Sequence, residues 1–172
     1  MSWAQGTARW IDRINRVAAL ICHALLAIIT AVTVLQVFLR FVLNRPTSWS
    51  EEIALLCLIW FGLLAVAVGI RRHEHVAITY FRDLLPGPAA ASLDYLAQAA
   101  MAVFMFSVMF FADDLIALTG VQVLPASGFP KSLLYFPAIL GGLLGTTNAL
   151  ANMILRDVHF VPRETLEFTD AD

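Results

Sequence analysis

Charged residues are scarce in this chain, and their scarcity indicates its class. Asp, Glu, Lys and Arg make up 14% of the 172 residues, whereas 60% of the residues are hydrophobic. Soluble domains are about 25% charged and about 45–50% apolar, so this composition is not that of a soluble domain. The formal net charge of −2 argues against nucleic acid as a partner. The composition therefore indicates an integral membrane protein.

Cysteine is nearly absent, which leaves little scope for disulfide bonding. Cys22 and Cys57 both lie within apolar runs. The membrane topology derived below puts them near opposite faces of the bilayer, too far apart for a disulfide. We therefore expect two buried free thiols.

Long apolar runs dominate the remaining sequence. At about 1.5 Å per residue, a helix of about 20 residues crosses a hydrocarbon core of about 30 Å. The first run is too long for the apolar part of a signal peptide, which spans about 7–15 residues, so we expect an uncleaved helix. We predict an all-α integral membrane four-helix bundle, a single domain over residues 1–172, with a polar tail from about residue 163. The predicted spans are Val17–Leu43, Ile53–Ile70, Tyr95–Ala112 and Leu133–Ile154.

Basic residues are concentrated at one end of these spans, and this fixes the predicted orientation. The positive-inside rule puts both termini in the cytoplasm. Arginines recur at i, i+4 and i+7 in Thr7–Val17, which predicts a short N-terminal amphipathic helix lying at the membrane interface. The basic residues on the side of the termini are Arg9, Arg13, Arg16, Arg71, Arg72, Arg82, Arg156 and Arg163, and those on the other side are Arg40, Arg45 and Lys131.

The central parts of the spans lack Asp, Glu, Lys and Arg. Pumps and channels usually carry such groups along their pathway, so we expect no ion or proton translocation by the chain alone. His23 is the only histidine within a span, and a hydrogen-bonded packing role is favoured over a haem ligand or proton relay. Thr33, Gln36 and Arg40 share one face, where interhelical hydrogen bonding is favoured over a substrate path. No cofactor and no metal site are expected.

The second span has contrasting ends. Ser48 and Glu51 fit a capping box, and Glu52 also lies near the positive end of the helix dipole. Trp49 suits the outer membrane interface, while Arg71 and Arg72 suit the cytoplasmic headgroups. A metal site built from the exposed residues His73, Glu74 and His75 would have no closed cage and is not favoured.

The fourth span carries a stripe of small and amide side chains. Gly141, Gly145, Asn148 and Asn152 follow spacings of 4, 3 and 4. The glycines permit close backbone approach and the asparagines can hydrogen-bond across helices. Packing within the subunit and docking onto another membrane protein are equally compatible with this stripe.

Two motifs resemble those of the DctQ-type small membrane subunits of tripartite ATP-independent periplasmic (TRAP) transporters. The sequence departs from the usual pattern of that family at Leu55, Ala65, His73 and Thr79. The first motif is Trp49-Ser50-Glu51-Glu52-Ile53-Ala54 followed by Trp60, Arg71-Arg72 and His75-Val76, and the second is Leu124-Pro125 with Gly128-Phe129-Pro130, Tyr135, Pro137 and Gly141.

The resemblance implies an accessory subunit, not an enzyme, in a bacterial or archaeal inner membrane. Its implied partners are a large membrane subunit that moves organic acids with sodium, a periplasmic solute-binding protein and the lipid bilayer. The alternatives are a haem-bearing anchor of a redox complex and a small self-contained oligomeric transporter. The candidate residues for a partner or lipid interface are Trp49, Glu51, Glu52, Trp60, Arg71, Arg72, His75, Gly141, Gly145, Asn148 and Asn152.

Overall fold

Four long helices form the part of the chain described by the structure, a computed structural model that covers residues 2–45, 47–72 and 87–155. Each helix is long and apolar enough to cross a membrane, which confirms the predicted all-α four-helix architecture. The candidate interface residue His75 lies outside the described residues, as do the rest of the His73–His75 segment and the polar tail. The helices are α1 (Ser2–Phe41), α2 (Ser48–Arg71), α3 (Gly87–Thr119) and α4 (Phe136–Ile154), and a short 3-10 turn (Lys131–Leu134) leads into α4.

The first helix is longer than the sequence predicts. With 40 residues, α1 is about 60 Å long, roughly twice the thickness of a hydrocarbon core. Residues 7–43 contain no glycine or proline, and the helix ends at Phe41, shortly before Asn44, whose φ is 50°. The Thr7–Val17 segment is helical, but it is continuous with the first span and is not a separate interfacial helix.

The helices pack in the order α1, α2, α4, α3, so that α2 and α4 occupy the centre. Chain direction makes the α1–α2 and α3–α4 pairs antiparallel and the central α2–α4 pair parallel. Small side chains fill the contacts, and Ala67 and Ala149 are fully buried. Without a hydrophobic drive between helices in lipid, such residues favour close van der Waals packing and short interhelical hydrogen bonds.

Gly141 and Gly145 of α4 pack against other helices of the same subunit. A Cβ atom added to Gly141 would lie 2.9 Å from the carbonyl oxygen of Leu63 in α2. At Gly145, an added Cβ would lie 2.8 Å from Cγ of Met105 in α3. The two glycines therefore bring α4 close to two different neighbours.

The two cysteines are free thiols, but their predicted separation in depth is wrong. Sγ of Cys22 lies 4.0 Å from the carbonyl oxygen of Phe61, one helical turn from Cys57 on α2. The error arises because α1 begins well before its apolar run, so the register between α1 and α2 could not be counted from the span boundaries.

Candidate functional site

Polar side chains are concentrated at the two ends of α2. The amino-end cluster consists of Gln36, Glu51, Glu52 and Ser127, and it joins α2 to α1 and to the loop before α4. The carboxyl-end cluster consists of Asp12, Asn15, Arg71, Asn148 and Asn152, and it joins α1, α2 and α4. These two clusters contain five of the eleven candidate interface residues, namely Glu51, Glu52, Arg71, Asn148 and Asn152.

Glu52 fastens the α3–α4 loop to the start of α2. Its Oε1 accepts a hydrogen bond from the backbone N–H of Ala126 at 3.0 Å. Its Oε2 accepts from the backbone N–H and the hydroxyl of Ser127, at 2.7 and 2.6 Å. Hydrogen bonds to a charged carboxylate are stronger than neutral ones, so this residue is the main polar attachment of the loop.

The loop that Glu52 holds has an ordered backbone of its own. The N–H of Leu124 donates to the carbonyl of Phe129 at 2.7 Å, and the N–H of Lys131 donates to the carbonyl of Gln122 at 2.9 Å. Gly128 turns the chain with φ of 71°, a conformation that side chains other than glycine rarely adopt. Residues 122–131 therefore form a small hairpin, which we call the clamped hairpin.

Glu51 makes a different contact from its neighbour. Its Oε1 accepts a hydrogen bond from Nε2 of Gln36 at 3.0 Å, linking α1 to α2. Gln36 therefore forms a hydrogen bond between two helices of the same subunit, as predicted. Thr33 and Arg40, which share its predicted stripe, are exposed, and the guanidinium of Arg40 lies 5.7 Å from the ring centroid of Phe41.

The predicted capping box at Ser48 and Glu51 is wrong. The N-cap is Thr47, and it makes no side-chain capping bond to the helix. The hydroxyl of Ser50 instead donates to the carbonyl of Thr47 at 2.7 Å. Because the helix begins one residue earlier than a Ser48 cap requires, the carboxylate of Glu51 is directed to α1.

The two tryptophans of α2 differ in their surroundings. Nε1 of Trp60 donates to the carbonyl oxygen of Leu133 at 3.0 Å and thereby ties α2 to the 3-10 turn. Trp49, in contrast, is 37% exposed at the start of the helix. An indole at this level can lie in the membrane interface, where such rings are favoured.

Arg71 is an internal link of the bundle. Its Nη2 lies 2.9 Å from Oδ1 of Asp12, and its Nη1 donates to Oδ1 of Asn152 at 2.8 Å. The arginine side chain is 12% exposed and the aspartate 35%. This geometry leaves little of Arg71 for a lipid or a partner, whereas Arg72 is exposed.

A fully buried asparagine joins three helices. The side-chain amides of Asn15 and Asn148 donate to each other's oxygens at 2.8 Å. Asn148 also donates to the carbonyl of Ala67 at 2.8 Å, and Asn152 donates to that of Ile70 at 2.8 Å. Polar groups in a bilayer interior must be satisfied within the protein, so these bonds fix the register of α1, α2 and α4.

Sequence reasoning missed the partners on the other side of these contacts. Asp12 and Asn15 lie in the amphipathic segment Thr7–Val17, where the spacing of the arginines predicts contact with the membrane interface and gives no sign of these two partners. Their spacing of i, i+3 on one helix face is the signal that could have identified them. Ser127 and the carbonyl of Leu133 had no such signal, because Ser127 lies in a turn and a backbone carbonyl is present at every residue.

The chemistry of the two clusters is structural. His23, the candidate haem ligand, is exposed, and its Nδ1 lies 2.7 Å from the carbonyl oxygen of Ala19, one turn earlier on the same helix. Within residues 2–45, 47–72 and 87–155, no group of three or more His, Cys, Asp and Glu side chains is placed to hold a metal ion. The clusters connect helices and a loop to one another.

We predict that Glu52→Ala releases the clamped hairpin. Losing its charge-assisted hydrogen bonds should raise amide hydrogen exchange at Ala126 and Ser127 by about 10- to 100-fold. Exchange measured by mass spectrometry on the purified protein tests this. Glu51→Ala is the matched control, since its partner is Gln36, and equal exchange in both variants would contradict the assignment.

Comparison with known proteins identifies the family. Residues 29–159 match the model of the DctQ component of tripartite ATP-independent periplasmic transporters. A TRAP transporter small permease protein of Haemophilus influenzae is 26% identical over 141 residues, which cover 82% of this chain and 88% of that protein.

Two further relatives are named for sialic acid transport. The sialic acid TRAP transporter small permease protein SiaQ of Vibrio cholerae is 36% identical over 96 residues, which are 56% of each chain. The sialic acid TRAP transporter permease protein SiaT of Haemophilus influenzae is 26% identical over 117 residues, covering 68% of this chain and 18% of that protein. The family match and the four-helix architecture agree, and the chain belongs to the DctQ family of small membrane subunits of TRAP transporters.

Proposed function

We propose that this chain is a rigid scaffold beside the large permease of a sodium-coupled TRAP transporter for an organic acid. Its family consists of transporter subunits, not enzymes, and small subunits of this family pair with a large permease. Four apolar helices make the chain a multi-pass inner-membrane protein. The coupling to sodium and the class of substrate are the parts that go beyond the family assignment.

The scaffold role is supported by the partners of the polar side chains. Asn148, Arg71 and Glu52 all bind other parts of the same chain. A subunit that moves substrate needs polar groups that exchange partners during transport, whereas these groups hold helices in one register. Such a bundle is suited to stiffening the stationary part of a transporter.

The proposed orientation has both termini in the cytoplasm. The support is the excess of arginine at the ends of the first, second and fourth spans on that side. In this orientation the amino-end cluster and the clamped hairpin face the periplasm, and the carboxyl-end cluster faces the cytoplasm.

We propose that the clamped hairpin is a docking surface for the periplasmic solute-binding protein. Val121 is 95% exposed and Val123 59% exposed at its base. The hydrogen bonds to Glu52 hold it in one conformation before any partner arrives, which lowers the entropic cost of binding.

The scaffold role is tested by purifying and reconstituting the large permease with and without this chain. We expect the two chains to co-purify, and the large permease alone to show lower thermal stability and little sodium-driven uptake. Full, stable sodium-coupled uptake by the large permease alone would contradict the proposal.

The docking role is tested separately with Glu52→Ala in the assembled transporter. We expect uptake at limiting binding-protein concentration to fall while co-purification with the large permease is retained. Glu51→Ala serves as the control. Unchanged uptake despite a released hairpin would rule out docking on this loop and leave the scaffold role intact.

A further inference from the structure

The inner third of α1 presents arginines on the side that faces away from the other helices. Arg9, Arg13 and Arg16 recur at i, i+4 and i+7 and are all exposed. Asn15 and Ala18, which lie between or beside them in sequence, are buried against the bundle. The arginines therefore form a basic stripe on the outer face of the helix.

We propose that Arg13 and Arg16 bind the phosphate of an anionic phospholipid whose acyl chain lies along the apolar face of α1. Both guanidiniums are unpaired within the part of the chain that the structure describes. The nearest carboxylate in sequence, Asp12, is engaged by Arg71 at 2.9 Å and so does not neutralise them. Planar guanidinium groups can bind phosphate oxygens through two parallel hydrogen bonds, and an anionic headgroup has no cation of its own to compete for that phosphate.

The same helix face continues from the arginines as an exposed apolar surface. Ala24, Ala27 and Ala31 are exposed along it. Leu20, Ile28 and Val34 on this side are 70%, 44% and 64% exposed. Because the surface is apolar and faces away from the other helices, a hydrocarbon chain can lie along it.

The length of this face matches one bilayer. From Arg16 to Phe38, which is 50% exposed, the helix rises about 33 Å, close to a hydrocarbon core of about 30 Å. With Phe38 near one boundary of the core, Arg16 lies at the other, where lipid phosphates are found. The side chain of Arg13, one turn nearer the N-terminus, lies within the headgroup layer.

A lipid suits this site better than a helix of another protein. A partner helix could pack on Ala24, Ala27 and Ala31, but it would also have to supply acidic groups to Arg13 and Arg16. An anionic phospholipid carries its negative charge and its apolar chains in the order in which the arginines and the exposed apolar surface follow each other. Charge complementarity therefore selects the lipid.

Native mass spectrometry of the detergent-solubilised chain tests the proposal with phosphatidylglycerol and phosphatidylcholine as probes. We expect preferential binding of phosphatidylglycerol, and about a 10- to 30-fold weaker affinity for it in an Arg13→Gln, Arg16→Gln variant. Arg13→Lys, Arg16→Lys retains the charge and should keep most of the affinity. The matched control is Arg40→Gln, Arg45→Gln, which removes the same charge at the other end of α1.

Each outcome decides for or against the site. Loss of phosphatidylglycerol binding in the Arg13/Arg16 glutamine variant alone supports it, provided that circular dichroism shows an unchanged helix content. Equal losses in the test and control variants would reduce the effect to overall charge and overturn the proposal. Unchanged phosphatidylglycerol binding in the Arg13/Arg16 glutamine variant would also overturn it, and loss of co-purification of the large permease with that variant would then assign the face to a protein interface.

Discussion

Gly142→Ala is expected to destabilise the bundle by about 1–3 kcal/mol. An added Cβ would lie 2.8 Å from the carbonyl oxygen of Met105 and 2.8 Å from Cβ of Met109. Backbone atoms cannot rotate away as a flexible side chain can, so α3 and α4 must separate. The measurement is thermal unfolding of the purified protein in detergent, followed by tryptophan fluorescence.

Gly62→Ala is the matched control for this substitution. Gly62 lies within α2, and an added Cβ there would have nothing within 4 Å. Alanine has the higher helix propensity, by up to about 1 kcal/mol, so we expect equal or greater stability. A similar fall in the unfolding midpoint of both variants would contradict the assignment of Gly142 to a close helix contact.

Arg71→Gln is expected to cost about 2–3 kcal/mol of stability. The substitution leaves the carboxylate of Asp12 without its ion pair and removes the donor to Asn152, whose oxygen accepts at 2.8 Å. Removing one member of a buried pair costs about 3–5 kcal/mol, and the 35% exposure of Asp12 places the expected value below that range. Thermal unfolding and the yield of monodisperse protein both report on the loss.

A double-mutant cycle separates the pair from the general effect of losing an arginine. Asp12→Asn in the Arg71→Gln background should restore part of the lost stability, because the uncompensated charge is gone. Arg45→Gln, an exposed arginine in the α1–α2 loop, should have little effect. Additive costs of Asp12→Asn and Arg71→Gln would show that the two side chains do not act together.

The architecture could be predicted from the sequence because it depends on the length and composition of apolar runs. A span requires only a stretch of about 20 residues without charge. The predicted span Ile53–Ile70 lies within α2, and the predicted span Leu133–Ile154 lies within the segment formed by the 3-10 turn and α4. The end of α1 was also predictable in kind, since Asn44 and Pro46 disfavour a continuing helix.

The partners of the polar side chains could not be predicted in the same way. Gln36 could contact Glu51 only if α1 and α2 have one particular register, and that register depends on how far α1 extends before its apolar run. Arg71 is an example. Its position at the end of a span is compatible both with a lipid headgroup contact and with an ion pair inside the protein. Its actual partner, Asp12, precedes it by 59 residues.

The separation along the chain between Asn15 and Asn148 has a consequence for how the protein is made. These residues are 133 positions apart, and Asn152 comes later still. A membrane protein leaves the ribosome from its N-terminus, so Asn15 is synthesised long before Asn148. A chain that stops before α4 leaves Asn15 with its bond to the carbonyl of Ile11 and leaves Arg71 without Asn152. Completion of the last helix is therefore the step that supplies the polar contacts joining α1, α2 and α4, and truncated chains should unfold more readily than the complete one.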